Sequence, residues 1–137
     1  MMVCLDADCV IYFVERNPDW GPTLTARIAA VRAAGDSIAA SDLVRTECLT
    51  GPLAKGDTAL VSDYQTFFAD PTLKMLPLTS AVCERAARIR AASNFNLKVP
   101  DCLHLAAAIE HGCSRFITND SQLKQCPDIA VEVLSDP

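Results

Sequence analysis

Two rhythms of apolar and polar residues alternate along the chain. Short β-like runs at residues 3–5, 37–40, 73–78, 115–118 and 129–134 are separated by longer stretches with a helical repeat. Residues 8–15 are almost continuously apolar and predict a buried helix. Residues 22–34 set Leu24, Ile28 and Val31 on one helical face, with Gly35 closing it. Ser41 is expected to cap a helix carrying Glu47, and Gly51-Pro52 to break or kink that helix. Residues 57–69 form a stripe of Leu60, Tyr64, Phe67 and Phe68, and residues 80–92 turn Val82, Ala86 and Ile89 inward. Residues 100–111 are apolar on nearly every side and predict a buried helix, with Pro100 in its first turn and Gly112 at its end. A short helix is expected over 120–124, and the last strand, with Glu132 among apolar residues, has the alternation of an edge.

Strands alternating with helices predict an α/β fold, a parallel sheet of about five strands covered by helices on both faces, built as one domain over residues 1–137. Ligands of such sheets bind beyond the carboxyl ends of the strands, near the switch in strand order. Asp6 ends the first strand, Glu47 lies on the helix after the second, and Asp120 ends the fourth. Asp101 opens the helix that runs back into the fourth strand, so it starts at the same edge. Four carboxylates are therefore expected on one edge.

Each acid has an ordinary structural use. Asp6 and Asp120 suit helix N-caps, and Asp101 suits a first helical turn, where the helix dipole favours negative charge. Glu47, inside a helix among Val44, Cys48 and Leu49, gains no capping energy and reads alone as a solvated side chain. Together the four would repel one another and raise one another's pKa, a cost that a central cation relieves. Oxygen donors suit Mg²⁺ or Mn²⁺ rather than zinc. A metal of that kind polarises phosphoryl oxygens and acidifies bound water, so the reaction class that follows is metal-assisted phosphodiester hydrolysis.

Composition narrows the setting. Half of the 137 residues are hydrophobic but only 6% aromatic, so the core must rest on Ala, Leu, Val and Ile. No apolar run is long enough to span a membrane, and the amino terminus lacks the basic-then-apolar order of a secretory signal. Seven cysteines, an odd number with no Cys-x-x-Cys pair, read as small buried residues in a reducing cytoplasm rather than as a disulfide framework or a zinc knuckle. The net charge of −5 is unusual for a nucleic-acid enzyme unless basic residues are gathered locally.

Four segments resemble the motifs of one family. Val3-Cys4-Leu5-Asp6-Ala7-Asp8-Cys9-Val10-Ile11 is similar to the first motif of PIN domains, and Ser41 through Leu53, with Glu47, to the second. Val99-Pro100-Asp101-Cys102-Leu103-His104-Leu105-Ala106-Ala107-Ala108 resembles the third, and Phe116-Ile117-Thr118-Asn119-Asp120 the fourth. The resemblance covers essentially the whole chain in family order, and is nearest to the VapC-type toxins of toxin–antitoxin pairs. It implies an acidic Mg²⁺ or Mn²⁺ site that cuts RNA, a small antitoxin as inhibitor, and a homodimer. It implies metal-ligand and catalytic roles for Asp6, Glu47, Asp101 and Asp120, with Thr118 and Asn119 helping to orient water or phosphate. One position departs from the family, which usually has Ser or Asn where this chain has Asp8. Asp8 is either a first-turn helix charge or a fifth acid that alters metal affinity and pH dependence.

Other readings remain open at this level. Asp6-Ala7-Asp8 after an apolar strand also resembles the first motif of haloacid-dehalogenase-type phosphatases, although the late acid pair of those enzymes is missing. A PIN-like scaffold without activity is a third reading. Arg45 and Lys98 lie near the acids in sequence and are candidate substrate contacts, whereas Arg85, Arg88 and Arg90 read as a solvated helix face or a clamp for RNA or an acidic peptide. His104 reads as a hydrogen-bonded core histidine, His111 as a helix C-terminal partner, and Trp20 as a lid or a loop anchor.

Overall fold

A computed structural model describes residues 1–136. Five strands, β1 (Met2–Leu5), β2 (Ser37–Ser41), β3 (Leu73–Leu76), β4 (Arg115–Thr118) and β5 (Ala130–Val133), form one sheet in the order β3-β2-β1-β4-β5. Every pairing is parallel. The six α-helices among the described residues are α1 (Ala7–Val14), α2 (Gly21–Ala33), α3 (Leu43–Lys55), α4 (Thr58–Ala69), α5 (Ser80–Ala92) and α6 (Val99–Glu110). A 3₁₀ turn at Ser121–Gln125 precedes β5. The expected α/β fold with a five-stranded parallel sheet is what the chain adopts.

Side chains alternate across the strands, and the two faces build separate cores. Val3, Leu5, Ile38, Ala40 and Ile117 pack with Val10 of α1, Leu24 and Ile28 of α2, Val44 and Cys48 of α3 and Tyr64 of α4. Cys4, Ala39 and Phe116 on the opposite face meet Val82, Ala86 and Ile89 of α5 and the buried side of α6. Ala-rich α6, with Ala106, Ala107 and Ala108 fully buried, can approach the sheet closely because it has so little side-chain volume there. No helix of the described residues is long and apolar enough to cross a membrane. All seven cysteines are free, and Cys4, Cys9, Cys48, Cys102 and Cys126 are buried, as their apolar neighbours suggest.

Two local expectations are corrected. Ser41 does not cap the helix carrying Glu47: it is the last residue of β2, and α3 begins after Asp42, which makes no side-chain cap. The Ser41 hydroxyl is drawn instead to a buried histidine. Nor does Gly51-Pro52 end α3, which runs on to Lys55 with Pro52 inside it. Pro52 lies in the last turns and is itself buried, so packing offsets the one intrahelical bond it cannot donate. The helix closes at Gly56, whose φ of 67° is in the left-handed region.

Candidate metal centre

The strand order reverses at β1, whose neighbours are β2 on one side and β4 on the other. The crevice at such a switch lies beyond the strand ends, and Asp6 sits at its head. Asp6 caps α1: its Oδ1 accepts from the Ala7 amide at 2.8 Å, and its Oδ2 accepts from the Thr118 hydroxyl at 2.7 Å. Only 6% of Asp6 is exposed. Burial, followed by the charge of Asp8, raises its pKa from 3.8 to about 7, against the opposing pull of His104, Thr118 and the Ala7 amide.

Thr118 is fully buried at the end of β4 and joins two acids. Its hydroxyl donates to Asp6 and accepts from the Asp120 amide at 3.1 Å. Asp120 caps the 3₁₀ turn, its Oδ1 taking the Gln122 amide at 3.0 Å. Asn119 uses its backbone N–H on Asp8 Oδ2 at 3.0 Å and its side-chain amide on the Tyr12 hydroxyl at 3.4 Å. Asp8 is therefore more than a first-turn charge, since it ties α1 to the end of β4. Burial raises its pKa, with the Asn119 bond opposing and the charge of Asp120 adding to the rise.

Asp101 in the first turn of α6 completes the edge from the other core. Burial raises its pKa, and the charges of Asp120 and Glu47 add to this, while His104 and Lys98 pull it down. Glu47 projects from α3 and hydrogen-bonds through Oε1 to His104 Nε2. His104 is only 1% exposed, and its Nδ1 lies 2.6 Å from the Ser41 hydroxyl. Burial alone would lower its pKa, but the Glu47 bond and the charges of Asp6, Glu47 and Asp101 outweigh burial and leave it raised. The four acids expected from the sequence stand along the carboxyl edge of the sheet, close enough for the charge of Asp8 to act on Asp6 and those of Asp120 and Glu47 on Asp101. The structure adds Ser41 and His104, which sequence reasoning did not place in the site. A signal was present: His104 follows Asp101 by three residues and so shares its face of α6.

The acidic edge fits a hard divalent cation on chemical grounds. Its donors are carboxylate oxygens, three of which, on Asp6, Asp8 and Asp101, have their pKa raised by burial and neighbouring charge, and two buried oxygens, Asp8 Oδ1 and Asn119 Oδ1, have no hydrogen-bond partner. Among the described residues, no three His, Cys, Asp or Glu side chains are gathered tightly enough to cage an ion by themselves.

The candidate cations around the site are engaged to different degrees. Arg45 pairs with Asp42 at 3.0 Å and lies over the Phe68 ring at 5.1 Å. Lys98 immediately precedes α6, near enough to Asp101 to lower its pKa. Arg85 is held by Glu110 at 2.8 Å, and Arg90 donates to the Leu97 carbonyl at 2.6 Å, so these two serve the fold. His111 bonds to the Pro77 carbonyl at 2.9 Å. Trp20 stacks on Tyr12 at 6.4 Å, which makes it a loop anchor. A concavity of about 960 Å³ between α1, α2 and α4 contains none of the four acids. Volume is a poor guide here, because a hydrated ion and a strand of phosphates need an open edge rather than a deep cavity.

Comparison with known proteins bears on the fold and the family. No curated protein is a significant sequence match. The fold is similar to that of the crystal structure of VapBC2 from Rickettsia felis bound to a DNA fragment from its promoter, with a TM-score of 0.80 and 19% identity over 97% of this chain and 98% of that one. It is also similar to DNA-bound VapBC from Salmonella typhimurium, with a TM-score of 0.76 and 16% identity over 98% of each chain. A toxin–antitoxin complex from Klebsiella pneumoniae aligns with a TM-score of 0.64 and 18% identity over 98% of this chain and 99% of that one. The sequence model of the PIN domain matches residues 3–129. The chain therefore belongs to the PIN-domain family.

Proposed function

We propose that the protein is a metal-dependent endoribonuclease that hydrolyses RNA phosphodiester bonds as the toxin of a toxin–antitoxin pair. One observation carries this reading: Asp6 is buried at the β1/β4 switch against the charge of Asp8, with its pKa raised to about 7, and Asp101, Asp120 and Glu47 stand along the same edge. The mutual repulsion of such acids is a cost that a bound cation relieves. Asp6 and Asp101 are the direct ligands of Mg²⁺ or Mn²⁺, and Glu47 and Asp120 complete the set directly or through water. The metal, when bound, supplies Lewis-acid activation of water and of a phosphoryl oxygen.

The chain's own residues supply position. Thr118 holds Asp6 and the Asp120 backbone, and Asn119 holds Asp8. Lys98, beside Asp101, contacts the RNA phosphate. Arg45 contributes less, because it would have to leave Asp42 and Phe68. The partners are RNA, a small antitoxin and a second copy of the chain, and the setting is the cytoplasm. The fold similarity to toxin–antitoxin complexes supports the antitoxin.

The test is RNA cleavage by purified protein with Mn²⁺ or Mg²⁺, with chelator, and with Asp6→Asn. Cleavage that requires both metal and Asp6 supports the reading, and growth arrest on expression of the wild type alone supports the toxin role. A protein that binds metal and antitoxin but cleaves no RNA would be the inactive scaffold.

A further inference from the structure

The chain Ser41–His104–Glu47 calls for a function of its own. Glu47 stands on α3, which packs on one core of the sheet, whereas His104 stands on α6, which packs on the other. Their bond passes over the end of β2, where Ser41 lies. A glutamate in the middle of a helix has three rotatable bonds and gains no capping energy, and 36% of the Glu47 side chain is exposed. Left alone it would sample several rotamers, and ordering it costs side-chain entropy.

The bonding pattern has one consistent solution at Glu47. An ionised carboxylate only accepts, so His104 Nε2 must donate to it. A neutral ring then accepts the Ser41 hydroxyl proton at Nδ1, and a charged ring donates at both nitrogens. Either way the bond to Glu47 persists, so the arrangement is independent of the ring's protonation. The same three residue types build hydrolytic triads. Here Ser41 has no exposed surface and ends a buried strand, so no substrate reaches it as a nucleophile.

We propose that His104, pinned by Ser41, is a positioning residue that holds Glu47 in one orientation through Oε1 and leaves Oε2 for the cation or its water. The second acid of the site is thus fixed from the opposite core, not by its own helix. The inference rests on reading the acidic edge as a cation site and does not require that the substrate be RNA. Partners that orient metal ligands in this way typically change metal affinity about 10–100-fold when removed.

Mn²⁺ binding to the full chain, measured by titration calorimetry, tests the proposal without any turnover. The amide of His104→Gln can place a nitrogen near the position of Nε2, whereas the shorter His104→Asn cannot reach Glu47. His104→Gln is expected to bind Mn²⁺ within about threefold of wild type and His104→Asn about 10–100-fold more weakly. In a Glu47→Gln background, His104→Asn is expected to cause no further loss, because the histidine acts only through that carboxylate. Equal losses in both backgrounds, or no loss in either, would overturn the proposal. If His104→Asn fails to fold, Ser41→Ala decides: a loss of about three- to tenfold supports the pinning role, and unchanged affinity refutes it. A wild type that binds Mn²⁺ but cleaves no RNA removes the ribonuclease reading alone. A wild type that binds no Mn²⁺ removes both.

Discussion

Asp6→Asn should make the metal-free protein more stable above neutral pH while abolishing its activity. In the fold, Asp6 titrates at about 7 rather than 3.8. Between these values the unfolded chain has lost the proton and the folded chain retains it, so stability falls as pH rises. Above pH 7 the full cost is present, and a displacement of that size corresponds to roughly 4 kcal/mol. Asparagine is as good an N-cap as aspartate and still accepts the Ala7 amide. It loses the acceptor for the Thr118 hydroxyl, about 1 kcal/mol. The variant should therefore exceed wild type by about 2–3 kcal/mol at pH 8 and fall level with it or slightly below it near pH 4. Urea unfolding in chelator across pH 4–8 measures this difference. Equal pH slopes for the two proteins, or a variant less stable at pH 8, would refute the argument. Mn²⁺ at 100 times its Kd should bring the two roughly level at pH 8, since it adds about 2.7 kcal/mol to the form that binds it.

Asp8→Asn keeps an acceptor for the Asn119 amide but removes the charge that helps to raise Asp6. The pH at which metal-free wild type loses stability should then move down, as seen in thermal melts across the same pH series. Lys98→Ala should slow RNA cleavage about fivefold to tenfold and flatten its salt dependence, and Arg45→Ala should change it less than threefold, since its partners are Asp42 and Phe68. Phe95 is 71% exposed and adopts a φ of 64°, a conformation that costs a non-glycine residue about 1–2 kcal/mol. Phe95→Gly should raise stability by about 0.5–1 kcal/mol, net of the lost contact with Arg90, as read by chemical denaturation.

The periodicities located nearly every element because each strand is a short apolar run and each helix carries one inward stripe. The edge location of the acids followed from the same pattern, since Asp6 and Asp120 end strands and Asp101 opens a helix. The relations across the chain were not legible. Ser41 has the chemistry of a cap, and only the position of His104, 63 residues later, shows why its hydroxyl turns elsewhere. Asp8 looks like a helix-dipole residue until Asn119, 111 positions away, donates its amide to it. Proline breaks helices by propensity, and the burial of Pro52 late in α3 could not be read from the sequence.

The sheet order has a consequence for when this protein can act. The central strand is made first, but its neighbour β4 lies more than a hundred residues later, and Asp6 receives the Thr118 hydroxyl across 112 positions. A nascent chain still short of β4 has neither that bond, nor the Asn119 amide on Asp8, nor Asp120 itself. Its first carboxylates are exposed, ordinary acids. The acidic edge assembled this way is incomplete until β4 and the turn after it have been made.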